Sequence, residues 1–169
     1  QPSDLVRRGV LARPRVFGAA TPPAKFHVRA GDFAAEEVEA AVNKPGLVAD
    51  VVRTWQRLAV AGNVRRKTIL FAASIAHSLA LVERFRSEGV RAAHIDGDTP
   101  APERVSMISA WRAGAVDLLS NVALFGEGLD VPDVSAAILA RPTASLALHV
   151  QQCGRALRSA SGKADALIL

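Results

Sequence analysis

From Arg66 onward, short apolar runs alternate with stretches of helical periodicity, and this alternation limits the fold more than any other feature of the chain. Thr68-Ile69-Leu70-Phe71-Ala72, Arg91-Ala92-Ala93-His94-Ile95, Val116-Asp117-Leu118-Leu119, residues 134–139 and residues 164–169 have the length and content of strands. Between the first two, Ile75, Leu79, Val82 and Phe85 recur at helical spacing and Gly89 closes the run. Residues 103–111 form a second helix, entered through Pro100 and Pro102 and closed by Gly114, and a third helix fills the interval before the last strand. Such alternation predicts an α/β fold with a mainly parallel sheet covered by helices on both faces. Ligands of such sheets gather beyond the carboxyl ends of the strands, so the loops after Ala72, Ile95, Leu119 and Leu139 share the edge of interest.

The first third reads differently. Pro2, Pro14, Pro22 and Pro23 punctuate residues 1–31, which read as a connector from a preceding domain, with a short helix ending at Gly9 and a strand at Arg15-Val16-Phe17. Asp32 is placed to cap a helix running to about Val42. Pro45 opens another helix, where Val48, Val51, Val52, Trp55, Leu58 and Ala59 recur at helical spacing, and Gly62-Asn63 ends it. Residues 32–169 are expected to form the domain proper. The chain begins without Met and ends in the apolar run Ala166-Leu167-Ile168-Leu169, so it is expected to be a piece of a longer protein.

Charge and cysteine usage narrow the partners. Lys and Arg number 21 against 16 Asp and Glu, a net charge of +5 that favours an anionic partner such as nucleic acid. The single cysteine, Cys153, rules out an internal disulfide and is expected to be a small buried hydrophobe. No apolar run approaches the length of a membrane span, and a cytoplasmic location is expected.

The third helix carries Gln151-Gln152-Cys153-Gly154-Arg155-Ala156-Leu157-Arg158, or Q-x-x-G-R-x-x-R. On an ideal helix Gln151, Arg155 and Arg158 fall within about 60° of one another, and Leu146, Val150, Cys153 and Leu157 form an opposite apolar face. Pro142 through Lys163 contains no acid to neutralise the two guanidinium groups. A phosphate matches their fork geometry; a solvated basic face is the plain alternative.

No G-x-x-x-x-G-K-[ST] occurs, so the chain carries no phosphate cradle of its own. Four stretches remain, in order: Phe71-Ala72-Ala73-Ser74; His94-Ile95-Asp96-Gly97-Asp98-Thr99-Pro100 with Glu103-Arg104; Ser120 through Pro132 with Glu127-Gly128-Leu129-Asp130; and the third helix, preceded by Pro142-Thr143-Ala144-Ser145. In order and spacing they resemble motifs IV, IVa, V and VI of the second RecA-like domain of superfamily 2 DEAD/DEAH-type helicases. The nearest texture is the branch of type III restriction motor subunits and phage repair helicases. The resemblance covers residues 66–169 well and residues 1–65 loosely.

The resemblance implies a three-layer RecA-like fold and a role as the C-terminal motor domain of an ATP-dependent helicase or translocase. ATP and Mg²⁺ would then be held mainly by an N-terminal RecA-like domain, with none bound by this piece alone. Arg158 would be the arginine finger, Arg155 would hold the same phosphate, and Gln151 would position it or the attacking water. Gly128, Asp130 and Gly154 would lie on the nucleotide side, while Ser74, Gly97, Arg104, Ser120, Asn121 and Thr143 would line a nucleic-acid track, with DNA favoured over RNA. Glu127 departs from the arginine that DEAD-box proteins place there and inherits no role from it. A RecA-like module that only holds nucleic acid or a protein partner is the alternative.

Overall fold

A computed structural model describes residues 2–18, 25–62, 64–124 and 133–169. In chain order the elements are α1 (Pro2–Arg7), β1 (Arg13–Val16), a hairpin of β2 (Val28–Arg29) and β3 (Asp32–Phe33), α2 (Ala35–Val42), α3 (Pro45–Ala59), and a second hairpin of β4 (Val60–Ala61) and β5 (Val64–Arg65). Then follow β6 (Thr68–Phe71), α4 (Ile75–Ser87), β7 (Ala92–Ile95), α5 (Ala101–Arg112), β8 (Leu118–Asn121), β9 (Ala136–Leu139), α6 (Leu146–Leu157) and β10 (Asp165–Ile168).

Six strands form one sheet in the order β1-β10-β9-β6-β8-β7, and every neighbouring pair is parallel. β6 is central and buried on both faces, which is why Thr68-Ile69-Leu70-Phe71 shows no polar alternation. Handedness sorts the helices. The step from β6 to β7 runs one way across the sheet, and the steps from β7 to β8 and from β9 to β10 run the other way. Right-handed crossovers therefore put α4 on one face and α5 and α6 on the other. The packing agrees: Trp55 of α3 and Leu81 and Phe85 of α4 cover Leu70, Leu118 and Ile138. On the other face Ile108 and Trp111 of α5 and Ala156 of α6 cover Ile69, Leu119 and Ala137.

Several elements differ from their expected places. The N-terminal strand pairs with β10 as the outer strand of the sheet, though its four side chains are exposed; backbone pairing and an Arg15–Asp165 ion pair at 3.3 Å attach it. Asp32 caps no helix; Ala34 precedes α2 and Asp32 belongs to β3. The hairpin turn before it uses Ala30 and Gly31, both at positive φ, the conformation a two-residue hairpin turn needs. On α4, Ile75 and Leu79 are exposed, and His77, Ser78, Leu81, Val82 and Phe85 face inward.

β8 starts two residues later than expected. Asp117 lies just before it, its buried carboxylate paired with Arg65 and Arg91. Burial alone would raise the Asp117 pKa; hydrogen bonds from Arg91 and Arg65 outweigh it and hold the carboxyl below its usual range.

His77 gives the fold a pH dependence. It is 2% exposed, and its Nδ1 accepts a 3.4 Å hydrogen bond from the Ala73 N–H. Burial pushes its pKa down to about 4 from 6.5, against an upward pull from Glu39. Between those values the unfolded chain binds the proton and the folded chain does not. Stability is therefore full above pH 6.5 and falls as the pH drops toward 4, by about 2 kcal/mol between pH 7 and pH 4.5. Urea unfolding at the two pH values measures this, and His77→Gln is expected to flatten the difference.

Candidate functional site

The carboxyl edge of the sheet gathers three of the four singled-out loops. After β6, Ser74 caps α4, its Oγ accepting the His77 N–H at 3.1 Å. After β7, the Asp96 carboxylate accepts from the backbone N–H groups of Asp98 and Thr99 at 3.0 and 2.8 Å and from the Thr99 hydroxyl at 2.9 Å. Asp96 also pairs with His94 Nε2 at 3.0 Å. Burial opposes its ionisation, but His94 and Thr99 hold its pKa below the usual range. Arg104 does not pair with Glu103: it donates to the carbonyls of Gly97 and Thr99 at 3.2 and 2.9 Å, fixing the loop from inside.

Ser120 and Asn121 are the last residues of β8 rather than the start of a loop, and both are buried. Ser120 Oγ lies 2.5 Å from Ser78 Oγ, which lies 2.7 Å from His94 Nδ1. Asp96, His94 and Ser78 thus form an acid–imidazole–hydroxyl chain, but Ser78 is fully buried, so the chain ties α4, β7 and β8 together and offers no nucleophile. Asn121 Nδ2 donates to the Leu70 carbonyl at 2.8 Å. Glu127, Gly128, Asp130 and Pro132 lie outside the described residues.

The loop between β9 and α6 is organised by a residue from the far end of the sequence. Asp32 accepts from the Arg141 guanidinium at 2.6 Å, the Thr143 hydroxyl at 2.8 Å and the Ala144 N–H at 2.8 Å. Burial favours the neutral acid, but the bonds from Ala144, Thr143 and Phe33 and the charge of Arg141 hold the Asp32 pKa down. Thr143 Oγ in turn accepts the Ser145 N–H at 3.0 Å, and Ser145 Oγ accepts the Leu148 N–H at 3.3 Å as the cap of α6. The Thr143 hydroxyl is therefore engaged within the protein.

α6 packs on β9 and β10 with a face that sequence periodicity misplaces. Gln152 and Ala156 are buried, whereas Leu146 is 75% and Val150 59% exposed. The inward face is rotated by about one residue, roughly 100°, from the expected one. Cys153 and Leu157 are half-buried against the core. The side-chain amide of Gln152 has neither its oxygen nor its nitrogen paired among the described residues. A Cβ built on Gly154 meets nothing within 4 Å among the described residues, so close packing does not explain that glycine.

Arg158 is not on the helix. α6 ends at Leu157, and Arg158 turns to extended backbone (φ −58°, ψ 134°) and bridges to Leu11, just ahead of β1. Lys163 fixes this end: its ammonium donates to the carbonyls of Val134, Ala156 and Arg158 at 2.5, 2.6 and 2.6 Å. Burial draws its pKa down to about 8, against the pull of Asp133. Arg155 thus stands about 14 Å along α6 from the first turn, and Arg158 lies at the amino edge of the sheet. The structure brings Ser74, Gly97 and Thr143 to one edge and carries Arg155 and Arg158 to the other, with Gln151 in the middle of the helix.

Sequence reading missed Arg141, Lys163 and the true role of Asp32. Arg141 and Lys163 each adjoin a turn-forming residue, Pro142 and Gly162, which is the only local signal. Among the described residues no three His, Cys, Asp or Glu side chains gather to hold a metal, and no helix is long and apolar enough to cross a membrane.

Residues 50–160 match the model of the helicase conserved C-terminal domain. A 51.5 kDa protein of a Lactococcus phage (isolate 7-9) is 36% identical over 134 residues, covering 79% of this chain and 28% of the phage protein. A Schizosaccharomyces pombe protein named as the mitochondrial ATP-dependent helicase irc3 is 30% identical over 167 residues, 98% of this chain and 27% of that protein. The chain spans little more than a quarter of either relative. In fold it is similar to the ATP-dependent type ISP restriction-modification enzyme LlaBIII bound to DNA, with a TM-score of 0.63 at 19% identity over 97% of this chain and 12% of that one.

Proposed function

The chain belongs to the helicase conserved C-terminal domain family, the second RecA-like half of superfamily 2 helicases, and from that premise we propose that it is the half-motor that completes an ATP site held by a first RecA-like domain. The carrying observation is α6, an acid-free helix that bears Arg155 in its last turn and is followed directly by Arg158, both inside the family match.

ATP hydrolysis builds charge on the transferred phosphoryl group, and fixed guanidinium groups offset it. Arg155 and Arg158 do this from the end of α6, and Gln151 orients the same phosphate or the attacking water. The chain carries no G-x-x-x-x-G-K-[ST] cradle, and in this reading ATP and Mg²⁺ are held mainly by the partner domain. Gly128, Asp130 and Gly154 are assigned to contact with the nucleotide in the same reading. Ser74 and Gly97, at the carboxyl edge, meet nucleic-acid phosphates without reading sequence. Arg104, Ser120, Asn121 and Thr143 shape that edge from within.

ATP hydrolysis by the complete protein, measured with and without single- and double-stranded DNA and RNA, tests this reading. Stimulation that weakens as salt rises is the expected result. A rate indifferent to every nucleic acid, or no rate at all, would overturn it and leave a RecA-like binding module.

A further inference from the structure

We propose that Asp32 is a positioning residue for the arginine-bearing helix: its carboxylate clamps the N-terminal β2–β3 hairpin to the loop that launches α6. The inference rests on the reading of Arg155 and Arg158 given above.

Asp32 lies outside the family match at residues 50–160, on an element that adds nothing to the main sheet. Yet its carboxylate receives three donors from residues 141–144. Through Thr143 and Ser145 the hydrogen bonds continue to the Leu148 N–H in the first turn of α6. The hairpin is itself anchored to α2. His27 donates its backbone N–H to Glu37 at 2.8 Å and Arg29 pairs with Glu36 at 2.6 Å, while Phe26 packs on Phe33 within the hairpin with ring centroids 5.1 Å apart. A body of hairpin and α2 thus holds the carboxyl-edge end of α6, while Lys163 holds the other end.

A helix held at both ends moves as a rod. A displacement of the β9–α6 loop then carries along α6, whose Ala156 packs on the core, to Arg155 in its last turn and to Arg158 just beyond its end. A misplacement of about 1 Å at a catalytic group costs up to about a hundredfold in rate. The carboxylate also engages the Thr143 hydroxyl, so that side chain serves to hold the start of α6.

The test compares Asp32→Ala, Thr143→Ala, their pair and Arg158→Ala in the complete protein. Asp32→Ala is expected to lower kcat for nucleic-acid-stimulated ATP hydrolysis by about tenfold, with KM for ATP within about twofold of wild type. Adding Thr143→Ala should cost less than the product of the two single losses, because the residues share the Asp32–Thr143 bond while Thr143 also holds the Ser145 N–H. Hydrogen exchange at the Ala144 and Leu148 amides should speed up by about tenfold while β6 keeps its protection. Asp32→Asn, which keeps one acceptor oxygen for Thr143 and Ala144 but replaces the oxygen and charge facing Arg141 with an amide donor, should fall between. Normal turnover in Asp32→Ala with Arg158→Ala inactive would overturn the clamp, as would additive losses or unchanged exchange at the two amides. Lost protection across β6 in both Asp32→Ala and Asp32→Asn would make Asp32 a general stabiliser and also overturn it. Normal turnover in Arg158→Ala would instead overturn the reading of the arginines.

Discussion

Arg158→Ala in the complete protein is expected to cut nucleic-acid-stimulated ATP turnover by about a thousandfold or more, the scale on which arginine fingers act. The fold should survive. The bridge to Leu11 and the carbonyl held by Lys163 are main-chain contacts that alanine keeps. KM for ATP should change little, because the proposed role of Arg158 is on charge that develops only after the ground state is bound. Arg158→Lys is expected to recover only a small part of the rate, since an ammonium keeps the charge but not the planar fork. Arg155→Ala should lose a comparable factor. Steady-state kinetics with a thermal melt of each variant checks both halves of the expectation.

Trp55→Ala should be the most damaging single change to the fold, costing about 3–5 kcal/mol. Trp55 is fully buried in α3, meets Phe85 of α4 edge to face at 5.4 Å, and donates its indole N–H to Thr68 Oγ of β6 at 2.7 Å. It thus joins α3, α4 and the central strand at one point. Its removal leaves a cavity and takes away the ring contact. The Thr68 hydroxyl keeps its own bond to the Arg66 carbonyl at 2.7 Å, so Trp55→Phe should recover much of the loss. At this size the alanine variant should melt roughly 10 °C lower, and chemical denaturation should place Trp55→Phe well above it.

The sheet was legible because its evidence is local. β6, β7 and β10 are apolar runs bounded by turns, and burial on both faces leaves them no alternation to confuse with a helix. The parallel order follows from alternation with helices, and the family resemblance rests on residues within one segment. α6 was misread for a physical reason: periodicity assumes that polar side chains face water, and Gln152 is a polar side chain in the core while Leu146 and Val150 are exposed. Ser120 and Asn121 misled in the same way, as polar residues completing a buried strand. Asp32 was out of reach because its partners lie 109 to 112 residues away. The position of Arg158 off the helix depends equally on tertiary contacts, with Leu11 and Lys163.

The central claim is that this domain places Arg155 and Arg158 on a phosphoryl group held elsewhere. Trapping ADP with aluminium fluoride, a mimic of the transferred phosphoryl group, on the complete protein tests it most directly. Wild type with nucleic acid should hold the trapped complex, while Arg155→Ala and Arg158→Ala should bind ADP normally and fail to trap it. Trapping that survives both substitutions, or that occurs on this chain by itself, would contradict the account.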